Sequence, residues 1–120
     1  MNFPLRRRKK TAMNCRDSGM IRSDGHLQFC RGFRCSIADH PAHECEGKIE
    51  ACHVRAGTDG GTSLKPSDCF VIPICAGGHR LQHQIGEAAF ETRFGINMKA
   101  IAAKLWKASA HRLRHDRKQG

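Results

Sequence analysis

Two histidines four residues apart, in Cys75-Ala-Gly-Gly-His79-Arg-Leu-Gln-His83, form the sharpest chemical pattern in the chain. On a helix that spacing turns both imidazoles to one face, where each can give one ring nitrogen to a divalent ion. The same spacing also describes a pair of surface histidines on a polar helix. A third histidine, His53, lies in an alternating stretch from Lys48 to Arg55, with Arg55 two positions on and on the same face if the stretch is a strand. Imidazole as a side chain titrates near neutrality, which suits it to take a proton from water. Seven cysteines accompany eight histidines. The odd number speaks against a complete disulfide framework and leaves bound metal and plain burial as the better accounts.

A chain of 120 residues is one domain's worth. With 39% hydrophobic and 27% charged residues it reads as globular. Six Phe, one Trp and no Tyr supply few aromatics for a core, so a metal staple is an attractive supplement. Against 11 Asp and Glu stand 21 Lys and Arg, a formal charge of +10. That excess favours a polyanionic partner, nucleic acid ahead of an anionic membrane surface. The run Arg6-Arg7-Arg8-Lys9-Lys10 is followed by no apolar stretch of the kind a signal peptide needs. The longest apolar run, Cys69 to Ala76, is too short to span a bilayer. A cytoplasmic protein with reduced thiols and no membrane partner is expected.

The elements that must position these residues follow from periodicity and punctuation. Residues 1–23 read as a basic flexible arm, either a phosphate-contacting segment or a solvated tail. His26 to Phe33 suits a short helix or a strand equally. Cys35 to Gly47 carries loop residues, Lys48 to Arg55 has the period of a strand, and Ala56 to Ser67 is a Gly-rich loop. Cys69 to Ile74 is a second strand, with Pro73 expected at its end or on an edge. Helices follow over Ala76 to Gln84, Glu87 to Phe94 and from Met98 on, with Gly86 and Gly95 as stops and Asn97 as a cap. Residues 111–120 form a basic tail.

A strand histidine, a return strand and a helix with two histidines is the layout of the ββα-metal nuclease site, where a base and a cation together hydrolyse a phosphodiester. Residues 26–109 resemble a family of small phage and prophage HNH nucleases, related to the RecA-dependent nuclease of a temperate phage. The similarity runs through His26-Leu-Gln-Phe29, Ile49-Glu-Ala-Cys-His-Val-Arg55, Leu64-Lys-Pro-Ser-Asp-Cys-Phe-Val-Ile-Pro-Ile-Cys75, His79-Arg-Leu-Gln-His83, Gly86-Glu-Ala-Ala-Phe90 and Gly95-Ile-Asn-Met-Lys-Ala-Ile-Ala-Ala-Lys-Leu-Trp106.

The resemblance implies an α+β fold with an HNH ββα-metal core, a two-stranded hairpin plus metal-binding helix, and flanking helices. It assigns 24–110 to the nuclease domain. His53 falls on the base position, and His79 and His83 on the metal positions for Mg, Mn or Zn. The implied reaction is endonucleolytic cleavage of DNA to 5′-phosphate and 3′-hydroxyl ends, with a recombinase–DNA filament as a candidate partner. Two positions depart from the pattern: Cys52 stands where many HNH enzymes carry a further ligand, and Phe70 stands where the middle Asn belongs. Asp68, the nearest polar residue, either orients His53 or serves as a turn residue after Pro66. Arg55, Lys65 and Arg80 are either phosphate contacts or solvated charges. Many relatives also hold a structural zinc. Cys35, Cys45 and Cys75 fill three of its positions, and Gly at 78 leaves the fourth to His40, His43 or Cys30. The alternative is that the thiols only pack. A non-catalytic, zinc-stabilised nucleic-acid-binding module is the rival to the enzyme.

Overall fold

A computed structural model of the protein describes residues 20–60 and 64–113. Most of the basic arm, residues 61–63 of the Gly-rich loop and most of the basic tail lie outside the described residues. The rest is a small α+β unit: a two-stranded antiparallel hairpin with helices around it. No helix among the described residues is long and apolar enough to cross a membrane.

The stretch that suited helix or strand equally is a helix, α1, Asp24–Arg31. Capping decides it. The Ser23 hydroxyl accepts from the His26 amide at 3.1 Å, while Asp24 in the first turn and Arg31 in the last complement the helix dipole. Residues just ahead of α1 are tied to the loop before the second strand. The Ile21 amide donates to Ser67 Oγ, the Asp68 amide donates to Ile21 O, and Arg22 reaches the Pro66 carbonyl.

Strands β1, Ile49–His53, and β2, Val71–Cys75, pair from Ile49 opposite Cys75 to His53 opposite Val71. Pro73 stands in the middle of β2, opposite Ala51, rather than at its end. A two-stranded sheet has an outer edge on both strands, so a missing amide there costs no ladder bond. The Pro73 carbonyl is used from outside, accepting from both the amide and the hydroxyl of Ser36 at 2.8 Å.

Helix α2, Ala76–Ile85, leaves β2 without a loop, and Cys75 is its N-cap. Helix α3, Glu87–Phe94, ends at Gly95, whose φ of 63° lies in the left-handed region that favours glycine. Helix α4, Met98–Ala108, starts at Asn97, whose Oδ1 accepts from the Ala100 amide at 3.0 Å. On α4, Met98 and Ala102 are buried and Ile101 packs beside them. Cys52, Val54, Ile72 and Ile74 of the hairpin region meet Phe90, Phe94, Met98 and Ala102 in one core. Of these, the Val, Ile, Phe and Met side chains contribute about 1.5–3 kcal/mol each when fully buried.

His26 of α1 is fully buried, with Nδ1 3.0 Å from Ser109 Oγ, Nε2 3.4 Å from Cys30 Sγ, and its ring edge-on to Trp106. Burial, helped by His111, pulls it from 6.5 down to about 4, against a small opposing pull from Asp68. The folded state therefore binds its proton less readily than the unfolded chain. The stability this contributes is complete above pH 6.5 and is lost as pH falls from 6.5 towards 4. The unfolding free energy from urea titrations should fall over that window by about 2–3 kcal/mol, and His26→Gln should remove that part of the slope. An unchanged slope in the variant would remove His26 as the cause.

Candidate functional site

Strand alternation sorts β1 into two faces. Glu50 and Cys52 point one way, paired opposite Ile74 and Ile72, while His53 points the other, opposite Val71. On the first face, α2 packs against β1. Glu50 Oε1 is 2.7 Å from His79 Nδ1, and His79 Nε2 is 3.2 Å from His83 Nε2. Glu50, Gly77, His79, Arg80, Leu81, His83 and Gln84 line a cavity of about 700 Å³. With its Nδ1–H donated to Glu50, His79 presents Nε2 as a lone pair, aimed at the corresponding nitrogen of His83. Two nitrogen ligands at ~2.1 Å from one ion stand ~3.0–3.4 Å apart for octahedral to tetrahedral angles, so the spacing fits a shared ion.

Glu87, at the start of α3, accepts from the Arg55 amide at 2.7 Å and the Ala56 amide at 2.9 Å. These bonds pin the far end of α2 to the end of β1, so the helix runs along the strand from Glu50 towards Arg55. His53 stands between those anchors on the opposite face. Among the described residues no hydrogen bond or ring contact joins it to His79 or His83, and it does not line their cavity.

His53 Nε2 is 2.9 Å from Asp68 Oδ1. The other oxygen of Asp68 accepts from the Ser23 amide at 2.8 Å, and Arg22 lies 3.7 Å from Oδ1. Burial works to raise the Asp68 carboxyl, but the hydrogen bonds from His53 and Ser23 and the charge of Arg22 outweigh it and leave it below its ordinary value. An ionised Asp68 holds the proton of His53 on Nε2 and leaves Nδ1 as the lone-pair nitrogen. Of the two readings of Asp68, turn residue or partner of His53, the contact favours the second, although both describe it.

The cationic candidates are exposed. Arg55 donates to the Leu64 carbonyl at 3.4 Å, which draws Arg55 and Lys65 to the same end of the hairpin. Arg80 is paired with Glu46 at 2.8 Å.

A second group forms at the opposite end of the hairpin. The ligand atoms of Cys35, His43, Cys45 and Cys75 all lie within 4.8 Å of one another, the one such gathering of three or more metal-ligating side chains among the described residues. This group can hold a metal ion. The sulfur ligands of a tetrahedral zinc stand ~3.8 Å apart, so only a small closing movement separates the two arrangements. Cys75 Sγ accepts from the amides of Glu46 and Gly78 at 3.4 and 3.3 Å, and the Cys75 amide donates to Cys35 Sγ at 3.3 Å. Burial opposes ionisation of Cys75, but these amides with His43 and Cys35 bring it down to about 7. Cys45 moves the other way, to about 11, through burial and then its thiol neighbours.

His43 is the fourth member, 3.3 Å from Cys75 Sγ, out of the three substitutes the sequence allowed. Its loop is held by α3, where Phe94 meets both His40 and His43 edge-on. A side chain at Gly78 has no room, because a Cβ there would stand 2.6 Å from Ile74 Cγ2. Cys30 is elsewhere, against His26. Glu50 and Glu87, which fix His79 and α2, were missed in the sequence; each acts on a residue about thirty positions away, and no local pattern signals such a contact.

Comparison of the chain with protein-family profiles, with curated proteins and with solved structures finds no match in any of the three.

Proposed function

We propose that the protein is a metal-dependent endonuclease of the HNH, ββα-metal type that hydrolyses DNA phosphodiester bonds. The observation that carries this reading is the Glu50–His79–His83 array, in which a carboxylate orients one imidazole and two ring nitrogens converge at 3.2 Å. A carboxylate behind a histidine ligand is the usual way a protein fixes tautomer and ring angle at a metal. A divalent ion bound there supplies charge stabilisation for the phosphate and the leaving oxygen.

The chain's own residues do the rest. Asp68 holds His53 by Nε2, and Nδ1 is the base of the proposed reaction; because His53 lies outside the cavity that His79 and His83 line, that role requires its ring to turn towards the ion site when substrate binds. Arg55 and Lys65, together at the end of the hairpin, contact phosphates of the bound strand. Arg80 joins them by exchanging Glu46 for phosphate. The group at Cys35, His43, Cys45 and Cys75 holds zinc with a closed set of protein ligands and serves the fold. A recombinase–DNA filament remains a candidate form of the substrate.

The rival module, with zinc and no catalysis, draws its support from that same closed ligand set. Plasmid nicking with and without added magnesium or manganese separates the two, since the module expects no cleavage with any metal. Calorimetric titration of the metal tests the array directly. His79→Ala and His83→Ala should abolish binding at the histidine site, because two protein ligands leave no redundancy. Glu50→Gln should weaken it about 10- to 100-fold. Wild-type affinity in all three variants would sink the site.

A further inference from the structure

One cavity belongs to neither metal site. It has a volume of about 590 Å³ and is lined by Gly57, Cys69, Phe70, Lys99, Ala103, Trp106 and Lys107. That size is within the roughly 300–1,000 Å³ of ordinary ligand pockets. Lys99, Ala103, Trp106 and Lys107 recur at helical spacing along one face of α4, and Phe70 enters from the turn before β2. Two half-buried aromatic side chains thus border the cavity, with two exposed lysines beside them.

Lys99 Nζ donates to the Gly57 carbonyl at 3.3 Å, which uses one of its three donors. Among the described residues neither Lys99 nor Lys107 makes an ion pair. An apolar, aromatic-lined hollow with cations on its rim is complementary to a flat heterocycle joined to an anion. The cavity also lies beside the proposed reaction centre. The Phe70 carbonyl accepts from the Val54 amide at 2.8 Å, one residue beyond His53.

We propose that this cavity receives one unpaired nucleobase of a single-stranded nucleic acid, packed against Phe70 and Trp106, with the adjoining phosphates on Lys99 and Lys107. A base inside a duplex cannot enter such a hollow without leaving its stack, whereas a single strand offers bases at no pairing cost. The inference rests on the nucleic-acid part of the proposed function and not on hydrolysis.

Trp106 is the only tryptophan in the chain, so the protein's tryptophan fluorescence comes from a residue that borders this cavity. The intact protein, without added divalent metal, is titrated with an oligothymidine, with an abasic strand of equal length and with a duplex, while anisotropy of a label on the strand follows binding. Oligothymidine should quench Trp106, and the abasic strand should bind more weakly without quenching. Phe70→Ala should weaken oligothymidine binding about tenfold. Phe70→Leu, which keeps apolar bulk without a ring, should show most of that loss and guards against a folding defect. Lys99→Ala and Lys107→Ala should each flatten the salt dependence by about 0.7 in log–log slope.

Binding without quenching, equal quenching by the abasic strand, or equal quenching by duplex overturns the inference. Quenching by phosphatidylserine vesicles and not by oligothymidine would place a membrane surface there and overturn it as well. Plasmid nicking is scored separately, so a cavity that fails leaves the nuclease standing, and a cavity that holds is silent on catalysis.

Discussion

On the proposed function, His53→Ala should lower the rate of plasmid nicking by about two to four orders of magnitude, the range spanned by loss of a general base. The fold survives the change. His53 is at the end of β1 with its side chain 17% exposed, outside the main core, and among the described residues its side chain is partnered by Asp68. Asp68 keeps the Ser23 amide and Arg22 when the imidazole is gone. DNA binding should be nearly unchanged, because the base acts on water and not on the phosphate backbone. Electrophoretic mobility, circular dichroism and nicking on one preparation check all three expectations. Wild-type cleavage by the variant would remove His53 from the mechanism.

The second large effect is at Cys45. As a residue it is exposed, with only its sulfur turned towards the group, and replacing an exposed side chain that does nothing changes stability by no more than about 0.5 kcal/mol. If Cys45 ligates zinc beside Cys35, His43 and Cys75, Cys45→Ala instead removes a quarter of a closed shell. Binding of structural zinc is worth on the order of 10 kcal/mol, as much as the whole stability of an ordinary domain. The variant should then lose helicity at ambient temperature or unfold far below the wild type. Cys30→Ala is the control. Cys30 is buried against His26, away from the cluster, and should cost only about 1–2 kcal/mol of packing. Equal unfolding midpoints for Cys45→Ala and the wild type would leave the thiols as packing groups. A chelator titration adds a check on the separation of the sites. Cleavage should vanish before helicity and return with magnesium or manganese, since the two ions use different ligands.

What was legible in advance was whatever the chain encodes within a turn or two of itself. Asn97, Gly86 and Gly95 mark helix ends through bonds and dihedral angles that span three or four residues, so α2, α3 and α4 are recognisable from the sequence. The alternation from Lys48 to Arg55 encodes β1 for the same reason. The spacing of His79 and His83 determines that the two rings meet on one face of α2. For α1, an apolar pattern of so few residues fits either period, and Ser23 with its bond to the His26 amide settles it.

Tertiary structure decided who meets whom across the chain. That Asp68 reaches His53 depends on how the loop before β2 packs on the residues ahead of α1. That Glu50 backs His79, and Glu87 holds the end of β1, depends on the angle at which α2 crosses the hairpin. The fourth member of the cysteine group was undetermined among His40, His43 and Cys30 because spacing carries no direction. The close packing of Gly78 on Ile74 leaves no side chain there, and the turn in which the Ala42 amide occupies His40 Nδ1 brings His43 to Cys75 Sγ. Local hydrogen bonds and side-chain periods are properties of short segments and can be read from residue order. Contacts between segments come from the burial of a shared core, whose geometry no short segment contains.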